Sequence, residues 1–464
     1  MATAPVVLTL DTPTLGDRSY LVHDGEVAFV VDPQRDIDRV LALLDEHGVR
    51  LTHVFETHIH NDYVTGGLAL AEATGAAYVV NGADEVSFDR VPVADGDTLE
   101  VGTRMAVTAL STPGHTFTHL SYALRDTPTG ASVAVFSGGS LLYGATGRPD
   151  LLGPDHTHDL VRHQHASVRR LADALPDEAA VFPTHGFGSF CSTSVDAETD
   201  ATSTIGHEKR VNPALTQDEE TWVAALLDGL GAWPAYYAHM APANAAGPGA
   251  PDLSPPALAD ATELRRRIEA GEWVVDLRHR TAFAAGHAPG TLSFGLDGSF
   301  ATYLGWLIPW GTPLTLLGET PAQVADAQRE LVRIGIDRPV AHATGRPQDW
   351  SDRPLASYPT ATFADLAQVR HHREVVVLDV RRSEEHEAGH IAGALTVPLH
   401  ELPARVTEVP EGEVWVHCAG GYRASIAASL LAAAGRRPVA VDDDFGRAAP
   451  AGLPITGLMA EVAG

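Results

Sequence analysis

The chain has 464 residues, too many for one ordinary hydrophobic core, and the length alone suggests about three domains. Apolar residues make up 44% and charged residues 20%, the proportions of a globular protein and not of a disordered one. A formal charge of −28 gives a surface that repels phosphate backbones and anionic lipid; this argues against nucleic-acid and membrane partners, and the charge serves mainly to keep the chain soluble.

No stretch approaches the ~20 uninterrupted apolar residues of a membrane span. The sequence opens Met1-Ala2-Thr3-Ala4-Pro5, without the basic-then-apolar pattern of a secretory signal, so a cytoplasmic location is expected. The two cysteines, Cys191 and Cys418, form no disulfide framework and suit a reducing compartment.

The first segment, 1–241, alternates strand-like apolar runs with helical patterns. Val27-Ala28-Phe29-Val30-Val31 reads as a strand, 36–46 as a helix and Thr52-His53-Val54-Phe55 as a strand, which predicts an α/β layered fold. Directly after that strand comes Thr57-His58-Ile59-His60-Asn61-Asp62-Tyr63. Residues at i, i+2 and i+4 on an extended strand end converge on one side, so His58, His60 and Asp62 offer two imidazoles and a carboxylate to a first-row metal ion. Two more histidines sit in turns after apolar strands, His115 in Ser111-Thr112-Pro113-Gly114-His115-Thr116 and His185 in Phe182-Pro183-Thr184-His185-Gly186. The chain holds 23 histidines, and some cluster without purpose; His156, His158, His163 and His165 lack the strand–loop context and read as a solvated face. Cys191 lies just past the His185 turn, where an inert buried thiol and a thiol that carries sulfur or binds substrate are equally open.

Residues 242–256 turn to Pro, Gly, Ala and Asp without periodicity and read as a linker. Beyond it the sequence repeats itself. Asp276-Leu277-Arg278, Gly286-His287 and Gly290 recur as Asp379-Val380-Arg381, Gly389-His390 and Gly393, each pair 103 positions apart. Each copy continues with an apolar strand, a short loop and a helix, over 313–335 and 414–435. The expectation is two duplicated α/β domains, 257–350 and 351–464, of about a hundred residues each.

In the second copy the strand Glu413-Val414-Trp415-Val416-His417 runs into Cys418-Ala419-Gly420-Gly421-Tyr422-Arg423, with a helix from about Ala424 to Ala434. A thiol between a strand and a helix N-terminus is surrounded by unpaired backbone N–H groups and the positive helix end, which stabilise a thiolate or a terminal persulfide. Gly420 and Gly421 let the loop curl, and Arg423 can close the ring as a fixed positive charge. In the first copy Gly318 aligns with Cys418 and Gln323 with Arg423, so neither nucleophile nor cation is present there.

The second copy resembles the rhodanese family in Asp379-Val380-Arg381, Glu385, Gly389-His390-Ile391-Ala392-Gly393-Ala394 and the loop 418–423. The resemblance implies a parallel-sheet α/β domain with Cys418 as nucleophile and Arg423, Ala419, Gly420, Gly421 and Tyr422 around the transferred sulfur. It makes the first copy a silent rhodanese-like domain. The acidic stretch Val441-Asp442-Asp443-Asp444-Phe445-Gly446 departs from the family's glycine-rich turn and bears on donor docking.

The first segment resembles metallo-β-lactamase-fold proteins, an αββα sandwich, and among them the persulfide dioxygenases, with Gly147-Arg148-Pro149-Asp150 and Gly186-Phe187-Gly188-Ser189-Phe190-Cys191 as further matches. The resemblance implies one Fe(II) per chain, with zinc as the alternative ion, held by His58 and His115; His60 is the further metal residue, and Asp62, His185 and Cys191 belong to the pocket. The family's third ligand, an Asp, is replaced by Gly139 in Val135-Phe136-Ser137-Gly138-Gly139-Ser140, and Tyr63 replaces a His that two-metal members use. Both replacements argue against a dinuclear hydrolase. Three functions stay open. One is a fusion enzyme of sulfide detoxification that oxidises thiol persulfides with O2 to sulfite and passes sulfane sulfur through Cys418, with thiosulfate as a product. The second is a sulfurtransferase whose metal-poor N-terminal domain only binds persulfide carriers. The third is a non-enzymatic sulfur relay or sensor. Neither the thiol carrier nor the oligomeric state is legible, and a homo-oligomer is compatible with all three.

Overall fold

The computed structural model describes residues 3–193 and 202–457. They separate into two compact units, one running to Asp252 and taking in Leu331–Ile336, the other made of Leu253–Glu330 and everything from Asp337 onward.

The first unit contains two six-stranded sheets, each with its strands in sequence order. One holds Val6–Thr12, Asp17–His23, Val27–Val31, Arg50–Phe55, Ala77–Asn81 and Val91–Val93; the other holds Thr98–Val101, Met105–Ser111, Leu120–Asp126, Ala131–Gly138, Ala180–Pro183 and Ser203–Thr204. Successive side chains of a strand point to opposite faces, and the core follows that rule. Val22, Phe29, Val31 and Phe55 meet Val107, Tyr122, Leu124 and Phe136 in one cluster between the sheets. Their neighbours Leu21, Val30 and Val54 instead pack with Val40, Leu44 and Leu70, from the helices Asp38–His47 and Gly67–Thr74. Val135 and Val181 turn to Val161, Val168 and Leu171 of the helix Pro154–Ala174. The unit is therefore a helix–sheet–sheet–helix sandwich.

Two local expectations are corrected. The helix Tyr237–Ala246 continues through Pro242 into the stretch read as linker, because four of its last six residues are alanine, the strongest helix former. His165 is not solvated: it shares the inner face of Pro154–Ala174 with Val161 and Val168 and packs against Trp222, ring centroids 5.4 Å apart. His156, His158 and His163 are exposed on the same helix.

The second unit contains two five-stranded parallel sheets with the same strand order twice. The first runs Ala257–Leu258, Ala341–Thr344, Leu314–Gly318, Trp273–Asp276, Leu292–Ser293; the second runs Thr360–Ala361, Arg437–Val441, Glu413–His417, Val376–Asp379, Leu395–Thr396. The repeated residues build the same knot in both. Arg278 donates to the Asp276 carboxylate and to the Gly286 carbonyl at 2.8 Å, and Arg381 to Asp379 and to the Gly389 carbonyl at 2.7 Å. Ladder register pairs Asp276 with Leu317 and Asp379 with His417, so Gly318 and Cys418 hold equivalent positions. The helix after the cysteine loop is Tyr422–Ala433, beginning two residues earlier than the sequence suggests. Among the described residues no helix is long and apolar enough to cross a membrane.

Candidate active sites

In the first unit the strands Arg50–Phe55, Met105–Ser111 and Ala180–Pro183 run out into loops carrying His58, His115 and His185, and Gly139 follows the strand Ala131–Gly138. The structure brings the three histidines together, all buried: ring centroids are 4.8 Å apart for His58 and His115, 5.3 Å for His115 and His185, and 5.4 Å for His58 and His185. Hydrogen bonds fix their tautomers. Thr57 Oγ1 donates to Asp32 at 2.7 Å, so it accepts from His58 Nδ1 at 2.9 Å. His115 Nδ1 donates to the Arg148 carbonyl at 2.9 Å, and His185 Nδ1 to Asp17 at 2.9 Å. Each ring is thereby left with its Nε2 for other work. His58 Nε2 and His185 Nε2 face each other at 3.5 Å, a separation that a shared proton or a metal ion must occupy to avoid opposed lone pairs. His115 Nε2 is buried and has no hydrogen-bond partner among the described residues. A buried acceptor without a partner, beside two imidazoles that face each other, is the donor arrangement a metal ion requires. The donor set fits a first-row transition ion.

Residues that no motif announced hold this pocket. Asp32 has φ 50°, the one non-glycine residue with positive φ among those described. Its carboxylate accepts from the Thr57 amide and hydroxyl at 2.7 Å and from the Thr184 hydroxyl at 2.5 Å, tying together the loops that carry His58 and His185. Burial lowers His185, but Asp62, 3.1 Å away, and Asp17 outweigh it and raise the imidazole to about 10. Burial and the other imidazoles push His58 well down, and burial with His185 takes His115 to about 3.

His60 turns Nε2 to Glu56 at 3.2 Å, Asp32 at 3.3 Å and the Tyr63 hydroxyl at 3.0 Å, while its buried Nδ1 has no hydrogen-bond partner among the described residues; His58, His60 and His185 form a group whose ligand nitrogens lie within 4.8 Å of one another. Burial lowers His60, but Asp32 and Glu56 prevail and raise it to about 9. Asp62 likewise supports His185. The Tyr63 hydroxyl meets His60 Nε2 at 3.0 Å and the Asp32 carbonyl at 3.3 Å.

Gly139 is accounted for by packing: a Cβ there would overlap the His115 ring, so His115 occupies the space a side chain would need. The Gly139 amide donates to His119 Nε2 at 3.0 Å, which makes His119 a backbone anchor. Cys191 Sγ lies with ligand nitrogens of His115 and His185, all within 4.8 Å of one another. Burial, then Asp62 and Asp17, push its thiol well up.

The second centre lies in the duplicated unit. Cys418 is 2% exposed, and its Sγ accepts from the Gly421 amide at 3.1 Å, at the start of the helix Tyr422–Ala433. Ala419 and Gly420 are exposed and form the rim. Gly421 has φ +95°, and a Cβ there would overlap Asp442, so the loop's curl needs glycine. Arg423 differs from expectation: its charge does not stand free over the sulfur but is paired with Glu385 at 2.5 and 2.7 Å. Burial raises Glu385, and Arg423 outweighs it, leaving the carboxyl at about 2. Tyr422 turns its hydroxyl to the Gly295 carbonyl of the first copy, 2.8 Å. Tyr303 and Trp306 of that copy line a small groove with Arg382, His400 and Arg423, and Trp306 stacks on His400 at 4.9 Å. In the acidic stretch Asp442 pairs with Arg280 at 2.8 Å, Asp443 accepts from the Phe363 amide, and Asp444 accepts from the Gly446 amide. In the first copy Gln323 Oε1 accepts from the Glu319 amide at 2.7 Å, so the place of the sulfur loop is closed by a side chain.

The rhodanese-like domain family model matches residues 362–445. The chain is 29% identical over 225 residues to the mitochondrial persulfide dioxygenase ETHE1 of Homo sapiens, covering 47% of this chain and 80% of that protein. It is 38% identical over 145 residues to hydroxyacylglutathione hydrolase of Cereibacter sphaeroides, covering 29% of this chain and 52% of the hydrolase. A crystal structure of a metallo-β-lactamase from Staphylococcus aureus superposes with TM-score 0.65 at 29% identity, covering 74% of this chain and 100% of that one.

Proposed function

The chain joins a metallo-β-lactamase-fold domain homologous to the persulfide dioxygenases to a C-terminal rhodanese-like domain, and on that premise we propose a two-centre enzyme of persulfide metabolism. The observation that carries the proposal is the cluster of three buried, tautomer-fixed imidazoles, His58, His115 and His185, with ring centroids 4.8 to 5.4 Å apart, in a chain that also places a thiol at a helix N-terminus. The three histidines would hold the metal, Fe(II) or alternatively zinc, one per chain. When bound, a ferrous ion would supply the redox chemistry that lets O2 react with a persulfide sulfur. The overall conversion takes a thiol persulfide, O2 and water to the free thiol, sulfite and two protons. Around it Asp17, the Arg148 carbonyl and Thr57 hold the rings by their Nδ1 protons, and Asp32 fixes the spacing between two of the loops.

At the second centre the Cys418 thiolate attacks the outer sulfur of a persulfide. The new S–S bond forms at Cys418, and the carrier leaves as its thiolate. Sulfite then attacks the terminal sulfur, giving thiosulfate and restoring the Cys418 thiolate. The Gly421 amide and the helix N-terminus stabilise the negative sulfur in both states. Coupling the two centres would make the protein a sulfide-detoxifying enzyme. One observation favours the narrower reading of a sulfurtransferase with a metal-poor N-terminal domain: position 139 is a glycine whose added Cβ would overlap the His115 ring, so it supplies no carboxylate.

Oxygen uptake with a small thiol persulfide, together with sulfite formation, separates the readings. The two-centre enzyme consumes oxygen, and His58→Ala with His115→Ala abolishes that uptake while Cys418-dependent formation of thiosulfate from added sulfite continues. Transfer through Cys418 without any oxygen uptake in iron-replete wild type would leave only the sulfurtransferase.

A further inference from the structure

Cys191 is buried in the same pocket, and neither the oxidation nor the sulfur transfer described above uses it. Its Sγ, a His115 nitrogen and a His185 nitrogen lie within 4.8 Å of one another. His115 offers Nε2, since Nδ1 is spent on the Arg148 carbonyl, and that Nε2 is wholly buried with no partner among the described residues. His185 offers Nε2 for the same reason, its Nδ1 being held by Asp17, and this Nε2 faces His58 Nε2 at 3.5 Å. Backbone geometry makes the thiol's place firm: the Cys191 amide donates to Ser189 Oγ at 3.2 Å, and its carbonyl accepts from the Arg148 amide at 2.9 Å. Arg148 is also the residue whose carbonyl fixes His115. One short segment therefore sets both the thiol and the orphan imidazole. Across the pocket, position 139 has no room for a carboxylate, because the His115 ring stands where its Cβ would go.

We infer that Cys191 is a metal ligand, a thiolate that joins His58, His115 and His185 and supplies the negative charge that position 139 does not. The inference rests on the reading of this pocket as a metal site. On binding, the S–H bond breaks, the proton leaves to solvent, and the sulfur's electron pair goes to the ion; no oxidant or reductant is involved. A site of three imidazoles and one thiolate is softer than one with a carboxylate, and it prefers late first-row ions such as cobalt(II) and zinc(II) over manganese(II) or magnesium(II).

The test is cobalt(II) titration of the metal-stripped full-length chain, followed by absorbance. Visible d–d bands report bound cobalt, and an intense near-ultraviolet band reports sulfur-to-cobalt charge transfer. The inference expects both in wild type and in Cys418→Ser, which leaves Cys191 as the chain's one thiol, with loss of the charge-transfer band alone in Cys191→Ser. If d–d bands saturate without a charge-transfer band in wild type, the pocket is a metal site and Cys191 is not its ligand. A charge-transfer band that survives in Cys191→Ser and vanishes in Cys418→Ser also overturns the inference. If no cobalt binds wild type, the metal reading and the inference fall together. Should Cys191→Ser lose its fold, the wild-type and Cys418→Ser spectra still decide.

Discussion

Both cysteines are buried in loops that follow a β-strand, Cys418 directly and Cys191 eight residues on, yet their surroundings are opposite. Cys191 sits among ring nitrogens, with Asp62 and Asp17 near enough to oppose its ionisation. Cys418 sits under a backbone amide at the head of a twelve-residue helix, with a groove beside it lined by Arg382 and Arg423. Burial alone therefore says nothing about a thiol's chemistry. Nearby carboxylates oppose a charge on the Cys191 sulfur, whereas the Cys418 sulfur takes a hydrogen bond from the Gly421 amide.

Removing either sulfur's support breaks this comparison by different amounts. The largest effect is at Cys418. Cys418→Ser should lower thiosulfate formation from persulfide and sulfite by at least ~10³-fold and remove the adduct of one sulfur atom from the intact mass of persulfide-treated protein, since the nucleophile has no substitute. Asp32→Ala comes next. Its carboxylate bridges Thr57 and Thr184, each one residue before a candidate ligand, so metal affinity measured by competition with a chelator should fall ~10–100-fold.

Gly139→Asp sharpens the comparison from the other side. A carboxylate added at position 139 should not create a further ligand, because the added side chain must displace His115. Expected outcomes are a loss of ~1–3 kcal/mol in denaturant unfolding of the chain and lower metal content. Higher metal content would show that the His115 ring yields the space. Glu385→Gln should release Arg423 towards anionic acceptors and lower the KM for sulfite by up to ~tenfold, about 1.4 kcal/mol, in steady-state assays.

The smallest effect is one of pH. Burial raises Asp379, but Arg381 leads the groups that outweigh it, and the carboxyl is held at about 2 against 3.8 when free; Glu385 is held at about 2 against 4.5. Folded-state values below the unfolded ones mean that both carboxylates stabilise the fold fully above pH ~5 and lose that contribution as pH falls towards 2. Thermal unfolding of the second unit should therefore be flat in pH above ~5 and its midpoint should decline below, and Glu385→Gln should shrink the decline.

Much of this was legible because it is local. Strand–His loops, the Cys418 loop and the doubled Asp–x–Arg…Gly–His pattern are short-range features, and the pattern proved to be the Arg-to-carbonyl knot that recurs in both sheets. What escaped depends on residues far apart in sequence. Asp17 and His185 are separated by 168 positions, and nothing in the loop around His185 shows which carboxylate will fix its tautomer. His60 has ligand spacing, and the sequence does not show that Glu56 and Asp32 take its Nε2. Arg423 lies where a sulfur-binding cation belongs, and Glu385, 38 residues earlier, neutralises it. His165 looked solvated beside three exposed histidines because composition alone does not reveal which helical face meets the sheet.

The claim on which the rest depends is that the N-terminal pocket holds a metal without a carboxylate at position 139. Its most direct test is the metal content of full-length protein, grown with added iron and purified without chelator, measured by mass spectrometry beside the His58→Ala/His115→Ala variant. The account predicts about one transition-metal ion per chain in wild type and none in the variant. Equal contents in the two proteins, or none in wild type, would contradict it and leave Cys418 as the chemistry of this chain.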